Sequence, residues 1–359
     1  MTRRVPLVLL LGTVGACATN PVTGKSELSL ISEGQEIAMG KEAAEQAKQS
    51  IGLYDDAKVQ AYVAEIGQRM AAASERPNLP WEFHVVDDAS VNAFALPGGF
   101  IFVTRGLMTH VNNEAELASV LGHEIGHVTA KHSVRQISKA QLATLGLGVG
   151  SILSEDIARF AGIAGQGLGL LFLKYGRDAE NQADELGFKY ALQQNYDVRE
   201  MDNVFITLSR VSAASGARGR LPEWLSTHPN PENRVERTEA RLAALNRTLD
   251  NTVTDREEYL GHLRGMTYGE DPRQGYFEGS RFYHPQLRFQ LEAAPHHRLG
   301  FLKVARGERY RPETVVRRPH LRVRLERLCE ARARLAEASE VEVERREVVP
   351  ALRALRIHL

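Results

Sequence analysis

Residues 113–132 read NEAELASVLGHEIGHVTAKH. The spacing predicts a helix from Asn113 to about His132, because Asn113 is a good N-cap and Glu116 follows three residues later. At 100° per residue Leu117, Val120, Leu121, Ile125 and Val128 form one apolar stripe, with His123 and His127 along its edge and Glu124 inside it. A carboxylate buried without a partner is costly or is forced to stay protonated, so Glu124 calls for a cation, a bound water or another polar group beside it. Two imidazoles four residues apart, with a carboxylate next to the first, make the pattern of a zinc site that carries its own general base. The plainer reading is a half-buried helix in which Glu124 pairs with an arginine. With 12 histidines in 359 residues, the pattern alone does not decide between them.

Catalytic zinc takes three protein ligands and keeps one position open, so a third donor must come from elsewhere in the chain. Glu180 is the best candidate, early in a second predicted helix that begins Arg177-Asp178-Ala179-Glu180-Asn181-Gln182-Ala183-Asp184. Asp184 lies one turn further along the same face, where such an acid can hold the free ring N–H of a ligating histidine. Ala183, Gly187 and Ala191 add small side chains at four-residue spacing, which lets two helices approach as closely as a shared metal requires. Read alone, the same residues also describe a solvated acidic face beside a packing seam.

Taken with Asn92-Ala93-Phe94-Ala95-Leu96-Pro97-Gly98-Gly99, these two helices resemble the gluzincin metallopeptidases that include the HtpX-like, Oma-like and CAAX prenyl endopeptidases. Within that superfamily the likeness is to the soluble periplasmic lipoproteins, over about residues 20 to 290, without the tetratricopeptide repeats that some of them carry. The resemblance implies that His123, His127 and Glu180 bind one Zn2+ per chain. It implies that Glu124 is the catalytic base, and that the substrates are unfolded or misassembled cell-envelope proteins. It also gives meaning to Thr227-His228-Pro229. His228 sits on a stiff loop before a helix expected to start at Asn230-Pro231, placed either to donate to the oxyanion of the tetrahedral intermediate or to bind zinc in place of water. Arg234 is then a partner for an acid in the site. A function of another class stays open, a zinc-containing chaperone or binding lipoprotein with little or no hydrolysis.

Helical patterns at about 33–49, 55–75, 113–132, 177–194, 198–213 and 231–246 outnumber strands. The expected fold is α+β and mainly helical, a zincin-like metallopeptidase with a small β-sheet or hairpin beside the active-site helix. Residues 91–104 alternate and turn at Pro97-Gly98-Gly99, a hairpin signal, and one of its strands offers an edge on which an extended substrate can pair. The apolar region Gln141 to Leu173 is broken by Glu155, Asp156 and Arg159 into runs too short to span a bilayer. It reads as a buried or lid-forming helical pair.

Arg3 and Arg4 precede the apolar run Val5 to Val14 and then Gly15-Ala16-Cys17, the order of a signal peptide over residues 1–16 followed by a lipidated cysteine. Ala18 after the cysteine favours, by resemblance, the periplasmic face of the outer membrane, with the acylated Cys17 as the contact to lipid. An ordinary secreted chain with an incidental Cys17 is the alternative. The catalytic domain is expected over 17–248, a polar linker over 246–255 and an appendage over 256–295. Residues 296–359 form an arginine-rich tail that reads as a basic amphipathic helix, a solvated helix or a stretch translated out of frame. Cys329 in that tail would be an unpaired thiol. A composition of 43% hydrophobic and 25% charged residues supports a sizeable core, and a net charge of zero offers no general attraction to nucleic acid.

Overall fold

The computed structural model describes residues 17–144, 175–216, 224, 227, 228, 233–278, 281–285 and 289–292. The signal segment 1–16, the apolar region beyond residue 144 up to Leu173, residues 229–232 and the tail 296–359 lie outside the described residues.

The fold is built on a three-stranded sheet. The hairpin is present as β4 (Ala93–Leu96) and β5 (Phe100–Thr104), antiparallel with Ala93 opposite Val103 and Leu96 opposite Phe100. Its turn needs the glycines, since Gly98 and Gly99 both have positive φ, at 80° and 107°. A further strand, β3 (Glu82–Val86), pairs parallel to β5 on the other side, giving the order β3-β5-β4 and leaving β4 at an edge. The hairpin reading did not include β3, although Phe83 and Val85 alternate with polar neighbours after Pro80.

Both faces of this sheet are covered. Phe83, Val85, Ala93, Ala95, Ile101 and Val103 join one hydrophobic core with Val59, Val63, Ile66 and Met70 of α2 (Ala57–Ala72) and with Leu117, Leu121 and Ile125 of α4 (Glu114–Thr129). Phe94, Leu96, Phe100 and Phe102 point the other way. They meet Ala43, Ala44 and Ala47 of α1 (Glu33–Ser50), and Val134 and Ile137 of α5 (His132–Thr144). A short helix, α3 (Arg105–Met108), follows β5.

The helix carrying the quoted run departs from the sequence reading in two respects. It is buried all round, with every residue from Glu114 to Thr129 inside the protein, so the single apolar stripe understates how central it is. It also stops at Thr129, because Lys131 takes a left-handed conformation (φ 56°) and α5 starts at His132. A buried helix must have its end groups satisfied. Asn113 Oδ1 accepts from Glu116 N at 2.8 Å, and Thr254 O accepts from Glu114 N at 3.0 Å.

Thr254 belongs to the stretch expected to be a linker. Residues 246–255 stay exposed or half-buried, but the backbone of Val253 and Thr254 is hydrogen-bonded to the rest of the unit. Asp197 N donates to Val253 O at 2.9 Å, and after this stretch α9 (Arg256–His262) buries Tyr259, whose hydroxyl donates to Met108 O at 2.5 Å. The first compact unit runs on to Tyr268. The side chains are polar because they remain exposed, while main-chain groups tie the stretch to α4 and its neighbours.

The remaining helices of this unit are α6 (Arg177–Gln193), α7 (Glu200–Gly216) and α8 (Arg234–Ala243). The second unit begins at Gly269 and contains an antiparallel sheet, β6 (Tyr276–Glu278), β7 (Arg281–His284) and β8 (Phe289–Glu292). At the other end of the chain β1 (Cys17–Thr19) pairs with β2 (Ser26–Leu28). Asn20, in their connection, donates to Ala130 O at 3.2 Å just past α4, and Ser138 of α5 accepts from Leu30 N at 3.0 Å. Among the described residues no helix is long and apolar enough to cross a membrane.

Candidate metal centre

Two helices and a loop make the site. His123, Glu124 and His127 come from the middle of α4, Glu180 and Asp184 from the first two turns of α6, His228 from the loop before α8, and Arg234 from the start of α8. The approach of α4 to α6 is set by glycines on both sides. A Cβ placed on Gly187 would lie 2.8 Å from His123 N, and one on Gly122 would lie 3.0 Å from Gly187 Cα. Glu180 is brought to the two histidines because nothing larger than hydrogen separates the backbones here.

His123, His127, Glu180 and His228 each offer one ligand atom, all within 4.8 Å of one another, and all four side chains are buried. His123 Nε2 is 3.0 Å from His127 Nε2 and 3.4 Å from His228 Nδ1. His228 Nδ1 is 3.0 Å from Glu180 Oε1, which is 3.5 Å from His127 Nε2. Four ligands about 2.0–2.1 Å from a tetrahedral zinc stand about 3.3 Å apart, so this donor set has the size of that ion's coordination shell. Two observations support the fit. Glu124 Oε1, Glu124 Oε2 and Glu180 Oε2 are buried without a hydrogen-bond partner, and three buried imidazoles converge on carboxylates.

The far side of His123 is fixed by an acid, as the sequence suggests for Asp184. His123 Nδ1 lies 2.9 Å from Asp184 Oδ1, which leaves Nε2 free to donate its lone pair to a metal. Arg234 grips the same carboxylate, with Nε donating to Oδ2 at 2.9 Å and Nη2 to Oδ1. The guanidinium also lies over the Phe205 ring, 4.1 Å from its centroid.

The electrostatics separate the carboxylates. Burial pushes the Glu124 carboxyl above its usual range, against the pull of His228 and His123. Burial acts the same way on Glu180, but there the charges of His228, His123 and Arg234 prevail and hold it below. Asp184 likewise overcomes burial through Arg234 and stays well below the ordinary carboxylate range. Burial, helped by the neighbouring His123 and His132, keeps His127 far below the usual imidazole value, as a ligand that must offer a lone pair requires. The two buried glutamates are thus pushed in opposite directions, Glu124 toward higher proton affinity and Glu180 toward the anion.

Three neighbours, Tyr175, Trp224 and His132, escape the sequence reading. Tyr175 stacks on His127 with ring centroids 3.9 Å apart and shares a hydrogen bond with Ser133 Oγ at 2.8 Å. Trp224 stacks on His228 at 4.3 Å, and its carbonyl accepts from His228 N at 2.7 Å. His132 Nδ1 lies 2.9 Å from His127 Nδ1, and His132 Nε2 lies 3.0 Å from Gln182 Oε1. A buried aromatic looks like ordinary core in a sequence, and Trp224 carries no further signal there. His132 stands inside the quoted run, but a helix continued to it turns its side chain away from His127. Of the residues singled out from sequence, His123, Glu124, His127, Glu180, Asp184, His228 and Arg234 come together, whereas Cys17 starts strand β1.

The model of peptidase family M48 matches residues 57–242. The beta-barrel assembly-enhancing protease of Yersinia pestis is 33% identical over 262 residues, covering 70% of this chain and 52% of that protein. The protein of the same name from Escherichia coli K12 is 31% identical over 226 residues, covering 60% of this chain and 46% of its own length. The mitochondrial metalloendopeptidase OMA1 of Schizosaccharomyces pombe is 32% identical over 188 residues, half of this chain and 52% of that protein. The chain thus spans about half the length of these relatives.

Proposed function

Since this chain belongs to peptidase family M48, whose metallopeptidases use zinc, we propose that it is a zinc-dependent endopeptidase acting on unfolded or misassembled proteins of the cell envelope. The observation that carries this reading is Glu124, a fully buried carboxylate with neither oxygen hydrogen-bonded, beside a donor set of zinc's dimensions. A protein that only binds its clients has no use for such a group. His123, His127 and Glu180 would hold the ion. Zinc in that position supplies Lewis-acid activation of water and of the scissile carbonyl.

Glu124 takes the proton from the attacking water and returns it to the leaving amine, a task suited to a carboxyl whose proton affinity burial has raised. His228 Nδ1 converges with the ligand atoms of the other three residues, and its other nitrogen, Nε2, lies 3.5 Å from Glu124 Oε1. There it would serve either as a further ligand that gives way to water or as a donor to the oxyanion of the tetrahedral intermediate. The backbone edge of β4, beside α4, is the natural place for an extended substrate.

Removing zinc with a chelator is expected to abolish cleavage of a fluorescent casein, and one equivalent of zinc to restore it. Undiminished turnover after complete zinc removal would sink the proposal.

The envelope assignment draws on the names of the beta-barrel assembly-enhancing relatives and on the Arg3-Arg4, apolar run and Cys17 order. We place the chain at the periplasmic face of the outer membrane, held by acyl chains on Cys17. Mitochondrial relatives show that the catalytic unit serves other compartments too. Labelled palmitate should enter the parental chain in a bacterial host and not Cys17→Ser. Equal labelling of the two removes the anchor.

A further inference from the structure

The junction between α4 and α5 turns a residue outside the donor set back toward it. His132 is five positions after His127, which on a continuous helix is about 140° round the axis, too far for the two rings to meet. Lys131, with φ 56°, breaks the helix and reverses this. Ala130 N still donates to Gly126 O at 2.9 Å and Lys131 N to Val128 O at 3.0 Å, so α4 closes normally before the chain re-enters as α5. The His127 and His132 rings then stand edge to face, centroids 4.9 Å apart, with their Nδ1 atoms 2.9 Å from each other.

A contact between two Nδ1 atoms needs one proton, not two and not none. His127 Nε2 faces the donor set, 3.0 Å from His123 Nε2, and can serve a metal only with its lone pair free. The proton of neutral His127 must then be on Nδ1, which makes His132 Nδ1 the acceptor. His132 in turn keeps its proton on Nε2, where Gln182 Oε1 accepts it at 3.0 Å. Gln182 is on α6, between the candidate ligand Glu180 and Asp184, so one helix ends both tautomer chains: Asp184 for His123, Gln182 through His132 for His127.

We infer that His132 is a positioning residue which, anchored by Gln182, fixes His127 in the tautomer and ring orientation that present Nε2 to the metal. The inference rests on the metal centre proposed above. A neutral imidazole here replaces the carboxylate that performs the same task for His123. The His127 ring is thereby oriented without adding another carboxylate to a buried site already holding Glu124, Glu180 and Asp184.

The test is zinc affinity of the full chain, measured by competition with a chromophoric chelator, so that it does not depend on turnover. His132→Leu keeps the bulk and loses the acceptor, and should bind zinc about 10–100-fold more weakly than the parent, the usual cost of losing a metal ligand's outer hydrogen-bond partner. His132→Asn presents an acceptor oxygen near the place of Nδ1 and should recover most of that loss. Packing alone predicts the reverse order, because Leu fills the space better than Asn. Should His132→Leu fail to fold, Gln182→Leu, on the half-buried side of α6, carries the question, with an expected loss of about threefold or more. Parental affinity in His132→Leu, or in Gln182→Leu where the former does not fold, overturns the inference, as does an Asn variant no better than Leu. A parental chain that binds no zinc overturns the metal centre itself, and the inference with it.

Discussion

Glu124→Gln should retain one zinc per chain while losing proteolysis by about 10²–10⁴-fold, the range that a positioned general base contributes. Gln keeps the shape of the side chain and removes only its capacity to take a proton, and Glu124 is not among the four residues whose ligand atoms converge. Glu180→Ala is the complementary change. It removes a member of the donor set and should strip zinc by more than about 100-fold in affinity, since losing even an outer partner of a ligand costs about 10–100-fold. Metal content and casein cleavage measured on both variants separate the roles. A Glu124→Gln protein that cleaves at the parental rate, or a Glu180→Ala protein fully loaded with zinc, would overturn the respective assignment.

The same substitution has a signature in the zinc-free protein. Burial raises the folded-state pKa of Glu124 above its ordinary 4.5. As pH rises through the ordinary range, the unfolded chain releases this proton while the folded chain retains it, so stability falls until pH passes the folded value. Gln does not titrate. The chelated Glu124→Gln protein should therefore melt above the chelated parent at pH 7, with the difference vanishing at about pH 4 and below. Calorimetry at the two pH values checks the sign.

Gly187→Ala is expected to destabilise the protein by about 1–3 kcal/mol, the usual cost of forcing an extra carbon into a packed interior, and to weaken zinc binding as well. The new methyl would meet His123 N at 2.8 Å, Gly122 C at 3.1 Å and His123 Cα at 3.2 Å. All three are backbone atoms of a helix buried on every side, so relief comes only from moving α4 away from α6, which separates His123 from Glu180 and Asp184. Gly34→Ala is the control, because nothing lies within 4 Å of a Cβ there and the position is exposed in the first turn of α1. That change should stabilise by up to about 1 kcal/mol. Urea unfolding of the two variants decides the matter, and a Gly187→Ala protein as stable as its parent would show that the seam has slack.

Much of this arrangement is legible in the sequence because it rests on short-range periodicity. His123 and His127 share a face by spacing alone, Glu180 and Asp184 do so by the same rule, and the Ala183-Gly187-Ala191 row announces a close helix contact. The α+β class and the hairpin follow from Pro97-Gly98-Gly99 and the alternation around it. What spacing misses are features that depend on a break in regularity or on partners far along the chain. Lys131 has no glycine or proline to mark the end of α4, so His132 reads as a continuation of the helix. Strand β3 is short, and its parallel partner lies beyond another strand. Thr254 lies in a polar stretch that looks like a linker because the need it meets, an N–H at the buried start of α4, belongs to a segment 140 residues away. Tyr175 and Trp224 are indistinguishable in sequence from core aromatics, and only their stacking on His127 and His228 gives them a place in the site.

The strand that starts at Cys17 also has a mechanical meaning. Its pairing with β2 ends in the turn where Asn20 holds Ala130 O, and the chain beyond β2 is pinned to Ser138. These two grips fall on either side of Lys131, on the end of α4 and on α5, the pieces whose junction brings His132 against His127. The chain leaving residue 17 is therefore fastened on both sides of the α4–α5 junction, the same junction that sets His132 against His127.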